Sequence, residues 1–122
     1  MDRPTTSARK ILLFDDDADI RDCWMTLSKL QELEDVVQFE SWEDFLARGH
    51  EGLVYGAVAF VDNNFEKAMS SFSGVDIAQR LRELGVEKVY SISSDPMKLM
   101  DHVHLFDGIL GTKFPTNVRK LL

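Results

Sequence analysis

Short apolar runs alternate along this chain with longer stretches in which apolar residues recur at helical spacing. The runs are almost continuously apolar, which is typical of strands buried on both faces of a sheet. The first run ends at Asp15 and the third ends at Asp62, so acidic residues directly follow two of these strands. The pattern predicts five strands, covering residues 10–14, 36–39, 57–61, 86–92 and 106–110.

The first helix is predicted to begin near Ala18, because Asp17 is a favourable N-cap residue. An apolar stripe at helical spacing indicates the face of this helix that packs on the sheet. The stripe consists of Ile20, Cys23, Trp24, Leu27 and Leu30. Cys23 is therefore expected to be buried and unreactive.

Two further helices carry recognisable start or stop residues. Ser41 followed by Asp44 resembles a capping box, and Gly49 fits just beyond the end of that helix. The third helix is predicted over residues 75–84 and is stopped by Gly85. The second helix is expected to bury a face formed by Trp42, Phe45 and Leu46.

The remaining segments are shorter. Residues 63–73 are predicted to be irregular. A short fourth helix should start with Asp95 as N-cap and Pro96 in its first turn, and should end before His104. Pro115 is expected to open a last helix of about two turns.

Strands that alternate with helices predict an α/β domain, with a parallel sheet covered by helices on both faces. The 122 residues suffice for one domain, which we assign to residues 10–122 after a polar, mobile tail at 1–9. In such doubly wound sheets, ligands bind outside the carboxyl ends of the strands.

Composition and charge exclude several classes of protein. A formal net charge of −7 argues against non-specific binding to nucleic acid or to an anionic membrane. No apolar run approaches the roughly 20 residues that a membrane span requires, and the polar N-terminus does not resemble a signal peptide. The single cysteine cannot form an internal disulfide, which favours a cytoplasmic location.

Polar residues follow four of the five predicted strands and should therefore meet at one edge of the sheet. They are Asp15, Asp16 and Asp17 after the first strand, Asp62 after the third, Ser93 after the fourth and Lys113 after the fifth.

This combination is suited to phosphoryl transfer. Gathered carboxylates repel one another unless a cation lies among them, and oxygen ligands suit Mg²⁺. An aspartate can itself act as a nucleophile toward phosphorus. Mg²⁺ held by Asp16 and Asp62, with Lys113 as a second positive charge, would neutralise the transferred group, and Ser93 would donate a hydrogen bond to it.

At these positions the sequence resembles the receiver domains of two-component response regulators. The resemblance extends over roughly residues 10–113 and depends on the order and spacing of several short motifs. The matching pieces are Ile11 to Arg21 with its acidic pair, Val61-Asp62, Gly74 to Ala78, Ile92-Ser93-Ser94 and Lys113.

The resemblance implies a flavodoxin-like sheet of order 2-1-3-4-5 and a switch protein rather than an enzyme. It implies Asp62 as phosphoacceptor, with Ser93 and Lys113 contacting the phosphoryl group. The implied partners are a histidine kinase or phosphotransfer protein and a downstream protein target, with a second copy of the chain as a further candidate. The implied Mg²⁺ ligands are Asp15, Asp16, Asp62 and, through its backbone carbonyl, Asn64.

Several departures from the family pattern favour an alternative, namely a receiver-like interaction module that works without phosphorylation. The segment from Asp62 to Gly74 is about four residues longer than the family usually has. Lys113 is followed by Phe114 instead of proline, and Leu110 stands where a switch aromatic is common. An exposed Phe72 in the long segment would provide a docking surface.

Each polar residue also has a purely structural interpretation. Asp15 to Asp17 can form a solvated turn and helix cap, Ser93 can close a turn, and a single lysine such as Lys113 is most often on the surface. A third function, Mg²⁺-dependent hydrolysis, is disfavoured because the sequence offers no clear general base.

Overall fold

Five parallel strands form a single sheet in the computed structural model, which describes residues 10–48, 51–62, 73–93 and 96–122. The strand order is β2-β1-β3-β4-β5, so the α/β fold class and the order 2-1-3-4-5 are both confirmed. The strands are β1 (Ile11–Phe14), β2 (Val36–Phe39), β3 (Val58–Val61), β4 (Lys88–Ser91) and β5 (Gly108–Ile109).

The sheet is buried on both faces at its centre, as the continuous apolar runs predicted. Successive side chains of a strand point to opposite faces, and every residue of β1 and β3 is buried. Leu12 and Phe14 of β1 lie in one core cluster with Phe45 and Ile77. Ile11 and Leu13 lie in the other, with Trp24, Phe60 and Val118.

Helices cover both faces. They are α1 (Ala18–Leu30), α2 (Trp42–Arg48), α3 (Glu51–Val54) and α4 (Gly74–Glu83). The sequence pattern did not predict the single turn α3. Side chains of α2, α3 and α4 contribute to the cluster that contains Phe14, whereas α1 contributes to the cluster that contains Trp24.

Helix α1 begins as predicted, since the side chain of Asp17 accepts a hydrogen bond from the Asp19 N–H. Its buried face is narrower than the apolar stripe. Trp24 is fully buried, whereas Cys23 is exposed and Leu30 is 78% exposed. Because each residue turns the helix by about 100°, both side chains lie at the flank of the face centred on Trp24. The prediction that Cys23 is buried was therefore wrong.

Capping defines the next two helices. The Ser41 Oγ accepts a hydrogen bond from the Asp44 N–H at 3.0 Å, but the Asp44 carboxylate accepts from the N–H of Glu40 rather than from that of Ser41. Ser73 and Asp76 form a complete capping box at the start of α4. Leu46, predicted to be buried on α2, is 62% exposed because α2 packs through Trp42 and Phe45 alone.

Two predicted helices are 3₁₀ segments. Residues Pro96–Leu105 hold two short 3₁₀ stretches separated by non-helical backbone at His102; the first ends before His104, as predicted, and the second was not predicted. The last segment, Val118–Leu121, begins three residues after Pro115, because the Asn117 side chain supplies the N-cap. The predicted tail at 1–9, Gly49, residues 63–72 with Phe72, and Asp95 lie outside the described residues.

None of the described helices is long and apolar enough to cross a membrane.

Candidate functional site

Asp15 and Asp62 lie side by side at the carboxyl ends of the two central strands. Phe14 pairs with Val61 in the register of β1 and β3, and the Asp62 N–H donates to the Phe14 carbonyl at 2.9 Å. Each aspartate is therefore the first residue beyond its strand. Both are buried, with Asp15 at 0% and Asp62 at 1% exposure.

Asp16 completes a cluster of three carboxylates. Asp15, Asp16 and Asp62 can each offer an oxygen atom, and these three atoms lie within 4.8 Å of one another. Asp16 is exposed, so the cluster is open to solvent on its side. Asp17, the remaining residue of the acidic run, caps α1. The metal-site interpretation thus fits Asp15 and Asp16, and the helix-cap interpretation fits Asp17.

Lys113 reaches the same cluster. Its Nζ lies 3.1 Å from Asp62 Oδ2 and 3.6 Å from Asp15 Oδ2. Burial of the lysine opposes its charge, but the Asp15 and Asp62 carboxylates outweigh this effect and raise the pKa of Lys113 above its usual value. Lys113 is therefore not an ordinary surface lysine. It is a fixed positive charge beside the predicted phosphoacceptor.

One oxygen of the Asp15 carboxylate accepts no hydrogen bond from the described residues. Burial raises the pKa of Asp15 to about 6; the Asp62 charge adds to this effect, while the Asp17 N–H and Lys113 oppose it. Its Oδ1 accepts from the Asp17 N–H at 2.9 Å, but within the described part of the chain its buried Oδ2 has no hydrogen-bond partner. The Lys113 ammonium lies 3.6 Å from this oxygen, too far for a hydrogen bond, so a closer cation or donor would offset more of the cost of burying it.

These features fit a small divalent cation. The cluster has three carboxylates, of which Asp16 is exposed and Asp15 has a buried oxygen without a hydrogen-bond partner among the described residues. Such hard oxygen donors are the ligands that Mg²⁺ prefers. The fourth predicted ligand, Asn64, lies outside the described residues.

Arg21 holds the loop that carries the acidic pair. Its Nη1 donates to the Asp15 carbonyl at 2.8 Å, and its Nη2 lies 3.8 Å from Glu40. The Gln38 side chain in turn donates to the Arg21 carbonyl. The sequence indicated Arg21 only through the family resemblance.

Trp24 holds the backbone at Lys113. Its indole Nε1 donates to the Lys113 carbonyl at 2.8 Å, although the two residues are 89 positions apart. The sequence pattern identified Trp24 as a core residue and missed this role. A buried tryptophan usually finds an acceptor for its N–H, but nothing in the sequence indicated which one.

Ser93 lies at the same edge of the sheet. Val61, the last residue of β3, pairs with Ser91, the last residue of β4. Ser93 comes two residues after Ser91, so it lies just beyond the carboxyl end of β4, at the edge where Asp62 follows β3. Ser93 is buried, and its N–H donates to Ser91 Oγ at 3.3 Å. The structure thus brings together Asp15, Asp16, Asp62 and Lys113, and places Ser93 at their edge of the sheet.

Comparison with known proteins gives a consistent result for the fold. The chain is similar to the receiver domain (CheY-like) of a response regulator from Methylobacillus flagellatus, with a TM-score of 0.69 and 20% identity over 94% of this chain and 96% of that one. It is also similar to a response regulator receiver protein from Pseudomonas putida, with a TM-score of 0.63 and 21% identity over 96% of this chain and 94% of that one.

A third similar structure belongs to a longer protein. The response regulator DrrB from Thermotoga maritima, described as an OmpR/PhoB homologue, matches with a TM-score of 0.62 and 25% identity over 95% of this chain and 50% of that one. No protein-family model and no curated protein matches the sequence. The chain therefore has the fold of response-regulator receiver domains over nearly its whole length, and the resemblance indicated by its motifs is confirmed for the fold.

Proposed function

We propose that this protein is a phosphoacceptor receiver that takes a phosphoryl group on Asp62 in the presence of Mg²⁺. The observation that carries the proposal is the position of the Asp62 carboxylate. It is buried at the end of a central strand, lies in a cluster with Asp15 and Asp16, and is 3.1 Å from the Lys113 ammonium. An aspartate in such a place is a nucleophile surrounded by the charges that phosphoryl transfer requires.

In the proposed reaction, a carboxylate oxygen of Asp62 attacks the phosphorus atom of the donor. A new oxygen–phosphorus bond forms while the bond between phosphorus and the leaving atom breaks, and the leaving atom keeps the electron pair. The leaving atom is the imidazole nitrogen of a phosphohistidine or an oxygen of a small acyl phosphate.

The surrounding residues bind and neutralise the phosphoryl group. Asp15, Asp16 and Asp62 would hold Mg²⁺, which when bound screens the negative charge of the phosphoryl oxygens. Lys113 needs to move little to contact the same oxygens, since it already lies beside Asp62. In this proposal Ser93 would donate a hydrogen bond to the phosphoryl group from just beyond β4, so phosphorylation would draw the loop after β4 toward Asp62.

The donor in this proposal is a histidine kinase or phosphotransfer protein, and the output is altered binding of a downstream protein. The protein then acts as a cytoplasmic switch and not as a free-standing enzyme. The further Mg²⁺ ligand that the family resemblance implies, Asn64, and a role for a second copy of the chain belong to the proposal as well.

Incubation with Mg²⁺ and acetyl phosphate, followed by intact-mass measurement, tests the proposal. Wild type should gain one phosphoryl group, and Asp62→Asn should gain none. Asp101→Asn is the matched control, because Asp101 is an exposed aspartate in the 3₁₀ segment and is not one of the three carboxylates of the cluster. This variant should gain the group as wild type does.

Omission of Mg²⁺ should abolish the gain. A gain that persists in Asp62→Asn would contradict the assignment of the phosphoacceptor. A wild-type protein that neither gains the group nor binds Mg²⁺ would favour the phosphorylation-independent interaction module.

A further inference from the structure

Trp24 of α1 and Gln31, the C-cap residue directly after α1, hold the backbone of the segment that contains Lys113. Trp24 Nε1 donates to the Lys113 carbonyl at 2.8 Å. Gln31 donates from Nε2 to the Pro115 carbonyl at 3.1 Å and accepts from the Val118 N–H at 2.8 Å. Trp24 and Gln31 are seven residues apart, about two helical turns, and both side chains bond to the backbone of residues 113–118. We call these three hydrogen bonds the α1 clamp.

The sheet does not fix the position of Lys113. Strand β5 ends at Ile109, four residues earlier, and residues 110–117 belong to no helix or strand. The segment also passes through Gly111 with φ of 68°. The path of this segment must therefore be set by contacts other than the hydrogen bonds of the sheet. The α1 clamp provides such contacts on both sides of Phe114, at the carbonyls of Lys113 and Pro115.

From this arrangement we propose that Trp24 and Gln31 are positioning residues for Lys113, and that the α1 clamp keeps its ammonium beside Asp62 for phosphoryl transfer. The inference rests on the proposed function, but two of its tests do not require phosphorylation. Neither residue contacts the phosphoryl group; each acts through the backbone of residues 113–118.

On its other side, the α1 clamp packs against β3, the strand that the proposed phosphoacceptor Asp62 directly follows. The Trp24 ring is fully buried and packs on Phe60 of β3, with ring centroids 5.2 Å apart. Asp62 lies two residues beyond Phe60. Trp24 thus connects β3, the strand that Asp62 directly follows, with the carbonyl of Lys113, and in this way it sets the distance between the two charged groups.

Loss of the clamp has two opposite effects on the site. Lys113 competes with a divalent cation for the Asp15 and Asp62 carboxylates, so a displaced lysine should allow tighter Mg²⁺ binding. Phosphoryl transfer should slow, because the phosphoryl oxygens lose a positioned positive charge. General loosening of the fold would instead weaken Mg²⁺ binding and slow phosphoryl transfer together. The direction of the change in Mg²⁺ affinity therefore distinguishes a positioning role of the clamp from a merely structural one.

The test uses Trp24→Phe, which removes the indole N–H but keeps an aromatic ring on Phe60, and Gln31→Met, which keeps the length of the side chain. Ser28→Ala is the matched control. Its hydroxyl is also a buried donor on α1, but it bonds to the Trp24 carbonyl within the helix. For each variant the Mg²⁺ dissociation constant and the initial rate of phosphorylation by acetyl phosphate are measured.

Trp24→Phe should slow phosphorylation by on the order of tenfold and tighten Mg²⁺ binding, and Gln31→Met should act in the same direction. Ser28→Ala should leave both quantities near the wild-type values. In a Lys113→Met background, Trp24→Phe should cause no further loss of rate, since the group that it positions is gone. An equal loss in both backgrounds, or weaker Mg²⁺ binding in Trp24→Phe, would overturn the inference.

The indole N–H resonances provide a readout that does not depend on chemistry at Asp62. The chain has two tryptophans, and Trp42 packs in the other core cluster and serves as the internal reference. Lys113→Met and Gln31→Met should shift the Trp24 resonance much more than that of Trp42. If wild type gains no phosphoryl group but the Trp24 resonance shifts in this way, the proposed function is wrong while the contact between the α1 clamp and the Lys113 segment is supported. If the Trp24 resonance does not shift, the inference about the α1 clamp is wrong.

Discussion

Asp15 shows how burial and charge compete at a single residue. Its carboxylate is fully buried, and its pKa is raised from 3.8 to about 6. A raised pKa in the folded state means that folding favours the protonated form. The stability contributed by this proton is fully present below pH 3.8 and is lost as the pH rises through about 6. Near neutral pH the charged Asp15 therefore destabilises the metal-free fold.

We predict that Asp15→Asn stabilises the metal-free protein near neutral pH, by about 1–3 kcal/mol. Asparagine keeps the acceptor for the Asp17 N–H and removes the buried charge. Urea denaturation in the presence of a chelator measures the difference, which should shrink as the pH is lowered toward 4. A variant less stable than wild type near neutral pH would contradict this account of the site.

In contrast to the charged Asp15, Lys113 should stabilise the metal-free fold. Lys113→Met leaves the buried Asp15 and Asp62 without their positive neighbour, and we predict a loss of about 1–3 kcal/mol in metal-free buffer. Added Mg²⁺ should restore much of this loss by supplying the missing charge. Lys120→Met provides the control, because Lys120 is exposed and should tolerate the change in both buffers. Equal losses with and without Mg²⁺ would contradict the proposed role of Lys113 at the site.

Among the elements, α4 shows how local backbone conformation places a helix. Its C-terminus turns at Gly85, which has φ of 96° and donates from its N–H to the Arg82 carbonyl. This left-handed conformation favours glycine. A Cβ at this position would also lie 2.8 Å from the Tyr55 ring.

We therefore predict that Gly85→Ala destabilises the fold by about 1 kcal/mol or more. Gly52→Ala is the paired comparison. Gly52 lies in α3 with nothing within 4 Å of the added Cβ, so its change should be neutral or stabilising. Thermal unfolding of the two variants distinguishes them, and equal effects would show that backbone conformation at Gly85 is not the cause.

The strands were predictable because they are continuous apolar runs, and α1 because Asp17 is a clear N-cap. The burial of individual helix residues was less predictable. Cys23 and Leu30 share the spacing of Trp24, yet they lie at the flank of the buried face and line a groove with Phe114. Helices were predicted near both 3₁₀ segments, but their 3₁₀ type and exact bounds were not, because the N-cap Asn117 and the kink at His102 leave little trace in the pattern of apolar residues.

At the scale of the whole molecule, the sequence predicted those residues of the candidate site whose positions follow from the order of the strands. Parallel strands bring their carboxyl ends to one edge, so Asp15, Asp62 and Ser93 follow from the order of the elements. The Trp24–Lys113 hydrogen bond does not follow from that order, because it joins a helix to an irregular segment 89 positions away. Departures of the sequence from the family pattern did not prevent Lys113 from reaching the carboxylates.

A cation that binds the carboxylate cluster should stabilise the whole fold. Binding to the folded state alone adds about 2.7 kcal/mol at a ligand concentration of 100 times the dissociation constant. We predict that Mg²⁺ raises the unfolding temperature of wild type, and that Asp62→Asn loses most of this response. An unfolding temperature that does not respond to Mg²⁺ in wild type would contradict the metal site.

Mapping the modified residue shows whether Asp62 accepts a phosphoryl group, as we propose. Wild type is treated with Mg²⁺ and acetyl phosphate, digested, and analysed by peptide mass with and without hydroxylamine, which cleaves acyl phosphates. We predict one hydroxylamine-sensitive phosphoryl group, located on the peptide that contains Asp62. A stable modification on a serine or threonine, or an unmodified Asp62 peptide, would contradict the account.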